Sequence, residues 1–406
     1  MEKKKLTWPK RLAMIVLSPL IFLLLAEVAL RVAGVKTDLA RNKNFEIAVP
    51  IWLLSDSNWV RNEYDRLKAP RGVKASDVAW LANFEEARFI QYKLKPNLDV
   101  RAVNPFNDIE VQKNVTFRLT SNADGFRTKA FTRKKPGSLR ILTVGDSSTF
   151  GWGVDPEYTW QNELEQRLAR TRGPAVEVLN LGISGHSSRH GIAILRHYAL
   201  DLQPDLLVIS YGANDARFVL RPADAVLAVD ETFLGAARWT LMKFRTFQLL
   251  RKLIFSAYDP FKKAVPAKTP EGGAPAKPMV PTVSPEGYRA NLKTMTAEAR
   301  AKGIAVVFLG VCNPDSYLGI MREVGRAENV PFVDARKLFQ DDLPALKDGT
   351  LYPREIAFHK RIYGEEAMAK NWWLFVTTDG CHPNRAGTSI IADALQAAVE
   401  QALARK

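Results

Sequence analysis

The sequence is short of cysteine, histidine and acidic residues, and these shortages narrow the classes of protein it can belong to. Only two cysteines and five histidines occur in 406 residues, which excludes a disulfide-dense scaffold and a metal site built from several cysteines. Acidic residues number 43 against 58 basic ones, giving a formal net charge of +15. Such an excess favours contact with anionic lipid or acidic polysaccharide. We expect no nucleic-acid partner, because the sequence has no zinc-finger spacing, heptad-linked basic region or aromatic RNA-binding motif.

The first 36 residues combine a basic start with a long apolar run. Five lysine and arginine residues between positions 3 and 11 precede an uncharged stretch from Leu12 to Ala26. A helix from Leu12 to Leu30 would be about 28 Å long, close to the hydrocarbon thickness of a bilayer. The basic flank predicts a cytoplasmic N-terminus and an extracytoplasmic remainder. A cleaved signal peptide is the alternative, but no small-x-small site follows the run, so we favour an uncleaved anchor over residues 1–36.

Residues 37–137 have a mixed pattern that predicts a small membrane-proximal α+β module. The stretch 80–100, WLANFEEARFIQYKLKPNLDV, predicts a short helix followed by extended chain. The stretch 111–129, VQKNVTFRLTSNADGFRTK, alternates like a strand and ends in a turn at residues 122–125. No catalytic chemistry is expected in this module.

From Leu139 onward, short apolar runs alternate with helical segments. The runs LRILTVG, VEVLNLG, PDLLVISYG, GIAVVFLG and VPFVDA are rich in Val, Ile and Leu and bounded by Gly or Pro, which is typical of strands buried on both faces. We therefore predict a three-layer α/β/α domain over residues 138–406, with a mostly parallel five-stranded sheet. Residues 259–285 are proline-rich and predict a flexible insertion.

A basic amphipathic segment, RWTLMKFRTFQLLRKLIF, precedes that insertion at residues 238–255. It contains five basic residues and no acidic one. A helix there would either lie on the membrane surface or pack on the sheet with a solvated basic edge. We favour packing on the sheet.

Polar clusters follow three of the predicted strands, and a fourth precedes the last helix. They are Gly145-Asp146-Ser147-Ser148, residues 181–185, residues 213–215 and the stretch DGCHP at 379–383. Because the carboxyl ends of parallel strands meet at one edge of a sheet, we expect all four clusters to converge.

The converging side chains match the needs of nucleophilic catalysis. Ser147 on a strand-to-helix turn is the predicted nucleophile, with His382 as its base and Asp379 holding the imidazole ring. The backbone N–H groups of Ser147 and Gly185 and the side-chain amide of Asn214 would form the oxyanion hole.

The ordered motifs GDSS, NLGISG, GAND and DGCHP resemble those of the SGNH, or GDSL-type, hydrolase family. The four letters of that name correspond here to Ser147, Gly185, Asn214 and His382, with Asp379 as the aspartate before the histidine. The resemblance covers about residues 138–405. It implies a flavodoxin-like sheet and ester hydrolysis through an acyl-enzyme, without a metal or organic cofactor. The anchor also resembles that of membrane-tethered bacterial members.

The expected function is that of an extracytoplasmic esterase acting on small acyl esters, such as O-acetyl groups on envelope polysaccharide, or on lipid esters. Two alternatives stay open. The same acyl-enzyme could pass its acyl group to a sugar hydroxyl, which would make the protein an O-acyltransferase. A non-catalytic envelope scaffold is the other alternative, although the complete set of site residues weighs against it.

Four further side chains near this edge leave alternatives open. Trp152 either walls an acyl pocket or packs on a helix, and His186 either lines the cleft or bonds locally. Cys312 and Cys381 are both expected at the active edge. There they form either a disulfide or, as the commoner case, two separate thiols.

Overall fold

The computed structural model describes residues 8–35, 83–103, 116–219, 222–250, 280–354, 356–357, 360–361 and 381–405. The chain divides into two compact units. One contains residues 1–52 and 229–276, and the other contains residues 53–228 and 277–406. The described part of the predicted membrane-proximal module therefore belongs to the same unit as the predicted α/β/α domain. Most of the predicted proline-rich insertion lies outside the described residues.

Strands and helices are numbered here in chain order. The strands are β1 (Phe84–Ala87), β2 (Gln91–Leu94), β3 (Asp99–Val103), β4 (Thr116–Thr120), β5 (Leu139–Gly145), β6 (Val176–Asn180), β7 (Leu206–Ser210), β8 (Phe218–Val219), β9 (Val280–Pro281), β10 (Ala305–Gly310) and β11 (Phe332–Asp334). The helices are α1 (Trp8–Val32), α2 (Ser147–Phe150), α3 (Trp160–Arg172), α4 (Ser188–Ile194), α5 (Ala223–Glu231), α6 (Phe233–Leu241), α7 (Pro285–Arg300), α8 (Asp315–Ala327), α9 (Ala335–Lys347) and α10 (Arg385–Ala404). A further helical stretch covers residues 245–250.

The central sheet has five strands in the order β6-β5-β7-β10-β11, and every neighbouring pair is parallel. The chain passes from β5 to β6 on one side and then crosses back to place β7 on the other side of β5. Ligands bind at such a switch point in flavodoxin-like sheets, beyond the carboxyl ends of the strands. The predicted fold class is confirmed.

Helices cover both faces of this sheet because its strands are apolar on both sides. Alternate residues such as Ile141, Val208 and Val307 join the core formed with α3, α9 and α10. Their neighbours Leu207 and Phe308 are fully buried as well, on the face where α4, α7 and α8 pack together. Two-sided burial fixes the strand positions and so the places where the loops emerge.

The helix predicted at the start of the stretch 80–100 is wrong for the residues described there. Residues 84–94 form an antiparallel hairpin of β1 and β2, in which Glu85 pairs with Lys93. Tyr92 and Leu94 are two positions apart, so in a strand both side chains lie on the same face, and both are buried. This burial outweighs the helix propensity of the glutamates. The predicted strand at 116–120 is present as β4, paired with β3. The turn at 122–125 is also present, closed by a 3.1 Å bond from Gly125 N–H to the Asn122 carbonyl.

Among the described residues of the other unit, one helix has the length and composition of a single membrane span. The window Met14–Val32 of α1 has a mean hydropathy of 2.2, and only 6% of it is buried within the protein. The α1 residue Glu27 accepts hydrogen bonds from the backbone N–H groups of Arg245 (3.1 Å) and Thr246 (2.9 Å). Residues 238–250 of the basic segment belong to the unit of α1 and not to the unit of the sheet.

Candidate active site

Ser147 lies where the structure turns from β5 into the short helix α2. Asp146 caps this helix by accepting bonds from the Ser148 N–H (3.0 Å) and the Ser148 hydroxyl (2.7 Å). Only glycine fits at position 145, because a Cβ there would lie 2.5 Å from the carbonyl oxygen of Ser210 on β7. The predicted nucleophile thus occupies a tight strand-to-helix turn at the switch point, with 9% of its surface exposed.

The loop that carries Gly185 runs along the carboxyl end of β5. Its Ile183 N–H donates to the carbonyl of Gly145 at 3.0 Å, only two residues before Ser147. A Cβ at Gly182 would lie 2.8 Å from the backbone nitrogen of Phe150 in α2, so the loop and the nucleophile helix are in direct contact. Gly185 itself has φ = 85°, a left-handed conformation that favours glycine.

Asn214 is held against the same loop from the end of β7. Its side-chain amide donates to the carbonyl of His186 at 3.1 Å, next to Gly185. The adjacent Asp215 accepts bonds from the Ser188 N–H (3.0 and 3.1 Å) and from the Ser188 hydroxyl. Burial raises the pKa of Asp215 to about 7, although the bonds from Ser188 oppose the rise. The loops after β6 and β7 therefore form one hydrogen-bonded assembly.

His382 is brought to this edge from the far end of the chain. Burial raises the pKa of Asp146, and the hydrogen bonds from Ser148 and the nearby His382 lower it in part. His382 is 4% exposed, and its neighbour Cys381 forms a disulfide with Cys312, which follows β10. The disulfide alternative is thus present in the structure. Asp379 lies outside the described residues.

The start of α10 is also fixed against the segment that follows the nucleophile. The guanidinium carbon of Arg385 lies 3.4 Å from the ring centroid of Tyr158, a cation–π arrangement. Contacts with β10 and with the segment after α2 therefore flank the residue proposed as the base. Among the described residues, the structure brings Ser147, Gly185, Asn214 and His382 to one edge of the sheet.

A family model described as the GDSL-like Lipase/Acylhydrolase family matches residues 143–390. The chain belongs to this family. The family resemblance that the motifs predicted is confirmed.

Two curated relatives match parts of this chain. Esterase TesA from Pseudomonas aeruginosa is 37% identical over 83 residues, which are 20% of this chain and 41% of the relative. An arylesterase from Vibrio mimicus is 36% identical over 78 residues, 19% of this chain and 38% of the relative. The chain thus spans about two fifths of the length of these curated relatives.

Two solved structures match more of this chain at lower identity. A lipase/acylhydrolase from Enterococcus faecalis is 17% identical and covers 65% of this chain and 96% of its own, with a TM-score of 0.36. A variant of an acetyl xylan esterase from Geobacillus stearothermophilus is 18% identical and covers 65% of this chain and 95% of its own, with a TM-score of 0.36.

Both predicted pocket residues are buried in the described part of the chain. Trp152 is 1% exposed and packs against Phe117 and Phe150, with ring centroids 5.2 and 5.5 Å away. His186 is fully buried and stacks on His190 at 4.3 Å. Packing, the second alternative for Trp152, is what the structure contains, and His186 packs on the ring of His190.

Arg127 is a residue near the site that the sequence pattern did not single out. Its side chain is buried and donates to the carbonyls of Phe150 (2.9 Å), Gly151 and Val154 (2.5 Å). Burial lowers the pKa of this guanidinium to about 10. Arg127 therefore fixes the segment that leaves the nucleophile helix. The only sequence signal is an arginine beside Phe126, which more often marks a surface position.

Proposed function

We propose that this protein is a membrane-anchored, extracytoplasmic serine esterase that removes small acyl groups from alcohol oxygens. The observation that carries the proposal is the meeting of three loops. The Gly185 loop bonds the end of β5 through Ile183, and Asn214 bonds the same loop at His186. A nucleophile and two oxyanion donors from three separate strands thereby share one edge.

The proposed reaction follows from this arrangement. The Ser147 hydroxyl oxygen attacks the ester carbonyl while His382 takes its proton, and Asp379 orients the imidazole. The N–H groups of Ser147 and Gly185 and the amide of Asn214 stabilise the oxyanion. The intermediate expels the alcohol, which receives the proton from His382, and leaves an acyl-serine. A water molecule, deprotonated by His382, then attacks the acyl-serine to release the carboxylic acid and restore the hydroxyl.

We infer the substrate class from the burial of the reacting side chains and from the net charge of the protein. Ser147 is 9% exposed and His382 4%, which suits a small acyl group rather than a bulky one. The net charge of +15 favours an alcohol component on an anionic polymer or lipid. We therefore propose O-acetyl groups on envelope polysaccharide, or short acyl esters of lipids. The names of the two curated relatives, an esterase and an arylesterase, agree with ester cleavage.

The location follows from α1 and from the disulfide. The apolar window of α1 follows a basic flank, which favours a cytoplasmic N-terminus. A disulfide between the only two cysteines suits an oxidising compartment. In the same unit as α1, Phe233 and Leu234 of α6 are 85% and 75% exposed. Apolar side chains of this kind favour contact with the lipid interface.

The test is hydrolysis of p-nitrophenyl acetate by the full-length protein in detergent. Ser147→Ala and His382→Ala should each lower kcat by at least about 10³-fold, because the triad acts as a unit. Asn214→Ala should lower it by about 100-fold, the effect of one lost oxyanion donor. Equal turnover by the wild type and Ser147→Ala would end the proposal.

Acyl transfer is the second candidate, favoured by the burial of the reacting groups. A site that admits little water leaves the acyl-serine available to another hydroxyl. Incubation of an acetyl donor with an acceptor oligosaccharide separates the two reactions. Acetylated sugar in place of free acetate would assign the protein as an O-acyltransferase. Failure of Ser147 to react with a fluorophosphonate probe would instead favour the scaffold alternative.

A further inference from the structure

Tyr92 lies outside the family-matched residues 143–390, yet it contacts the loop that carries Gly185. It is on β2 of the N-terminal hairpin and is 2% exposed. Its hydroxyl donates to the backbone carbonyl of Ser184 at 2.9 Å. Nothing in the family motifs requires this residue, so its contact is a property of this chain's own N-terminal module.

The contact matters because the Ser184 carbonyl lies next to the Gly185 N–H. The Ser184 carbonyl and the Gly185 N–H belong to the same peptide group, which is planar and trans. The two bonds therefore point in opposite directions. A donor that fixes the carbonyl on one side also fixes the direction of the N–H on the other side. A hydrogen bond to the carbonyl polarises the peptide group as well, which strengthens its N–H as a donor.

The same hairpin also contacts this region through a second hydrogen bond. His190 accepts a bond from the Ser187 N–H at its Nδ1 (3.2 Å), so its Nε2 carries the proton and donates to the Gln91 side-chain oxygen at 2.8 Å. The ring of His186 fills the space between, 4.9 Å from the Tyr92 ring. Gln91 and Tyr92, adjacent residues of β2, thus hold the loop on both sides of Gly185. Gly185 has a left-handed backbone, and glycine by itself restricts the backbone little.

We propose that Tyr92 is a positioning residue for the oxyanion hole, which aims the Gly185 N–H at the reacting carbonyl oxygen through the Ser184 peptide. The proposal rests on the function proposed above, in which Gly185 supplies one of the oxyanion donors. It assigns a catalytic purpose to the N-terminal module, which the family motifs do not include.

The change that tests it is Tyr92→Phe, which removes the hydroxyl and keeps the ring against Phe84 and His186. We expect kcat for p-nitrophenyl acetate to fall by about tenfold, since a misaimed donor costs less than the 10²–10³-fold of a missing one. KM should stay within about twofold, because the N–H stabilises charge that develops only in the transition state. The rate of inactivation by diethyl p-nitrophenyl phosphate should fall in parallel with kcat, because its phosphoryl oxygen occupies the same hole.

Tyr317→Phe is the matched control. The Tyr317 hydroxyl is also a buried tyrosine donor to a backbone carbonyl, that of Val283 at 2.7 Å. It makes no hydrogen bond to the Gly185 loop. Both variants should lose similar thermal stability, because each loses one buried hydrogen bond, but only Tyr92→Phe should lose kcat.

The outcomes separate the positioning role from the function on which it rests. A selective fall in kcat and in the inactivation rate for Tyr92→Phe, with Ser147→Ala inactive, supports the proposal. Equal kcat for Tyr92→Phe and Tyr317→Phe, with Ser147→Ala inactive and Asn214→Ala slow, overturns the positioning role and leaves the proposed function intact. Full activity of Ser147→Ala overturns both.

Discussion

Breaking the disulfide between Cys312 and Cys381 should both destabilise the enzyme and slow it. Cys312 follows β10, and Cys381 directly precedes His382, so the bond ties the proposed base to the end of a sheet strand. The chain contains no other cysteine. A mild reductant therefore acts on no other thiol or disulfide of this protein.

The two effects have separate physical origins. The bonded residues are 69 positions apart, and closing a loop of that length stabilises the folded state by about 4 kcal/mol in the chain-entropy description. The effect on catalysis comes from the position of the imidazole, where a misplacement of about 1 Å can cost on the order of 100-fold in rate. We expect kcat to fall by about tenfold or more and KM to change less, since His382 acts on the proton of Ser147 rather than on substrate binding.

The assay compares oxidised wild type, reduced wild type and the double variant Cys312→Ser/Cys381→Ser. Each is measured for hydrolysis of p-nitrophenyl acetate and for unfolding in urea. The double variant should match the reduced wild type and should not respond to the reductant. An unchanged kcat together with an unchanged unfolding midpoint after reduction would refute the reasoning.

Three other changes probe the described contacts. Arg127→Met should lower the free energy of unfolding by about 3 kcal/mol or more, because it removes a charged donor from several buried carbonyls; the exposed pair of Arg118 and Asp99 provides the control, since Arg118→Met should cost much less. Asp215 has a folded pKa raised to about 7, so its contribution to stability is full below its ordinary pKa and is lost as pH rises through 7. Relative to wild type, Asp215→Asn should therefore gain up to about 4 kcal/mol between pH 4 and pH 8, and a flat difference in urea unfolding across that range would contradict this. Glu27→Ala should speed amide hydrogen exchange at Arg245 and Thr246, because their N–H groups donate hydrogen bonds to the Glu27 carboxylate. Unchanged protection of these two amides would contradict a structural role for this carboxylate.

The sheet and its active edge could be predicted because their sequence signals are local and strong. Runs such as LLVIS at 206–210 have every residue buried, and a run of that kind has few alternatives to a central parallel strand. Once the strands were placed, Ser147, Gly185 and Asn214 were expected to lie together, because the carboxyl ends of parallel strands meet at one edge of the sheet. This prediction needed no side-chain geometry. His382 followed from the same logic, since it precedes the last helix.

The hairpin at 84–94 and the pairing of the cysteines could not be predicted, because each depends on tertiary contact. Residues FEEA favour a helix by propensity, but strand pairing with QYKL buries Tyr92 and Leu94. Two cysteines at one edge form a disulfide only when their Cα atoms come within about 7 Å, and no sequence pattern reports that distance. The structure places the two Cα atoms 4.7 Å apart.

The residues that the sequence pattern missed share a position in the molecule and a chemical role. Arg127 and Tyr92 come from the module before the family-matched region, and both donate to backbone carbonyls rather than to side chains. Contacts of this kind carry no motif, because a carbonyl acceptor is present at every residue. Arg127 holds the segment after the nucleophile helix, and Tyr92 holds the peptide of Gly185. The described part of the N-terminal module therefore supports the proposed active site through contacts that no motif reports.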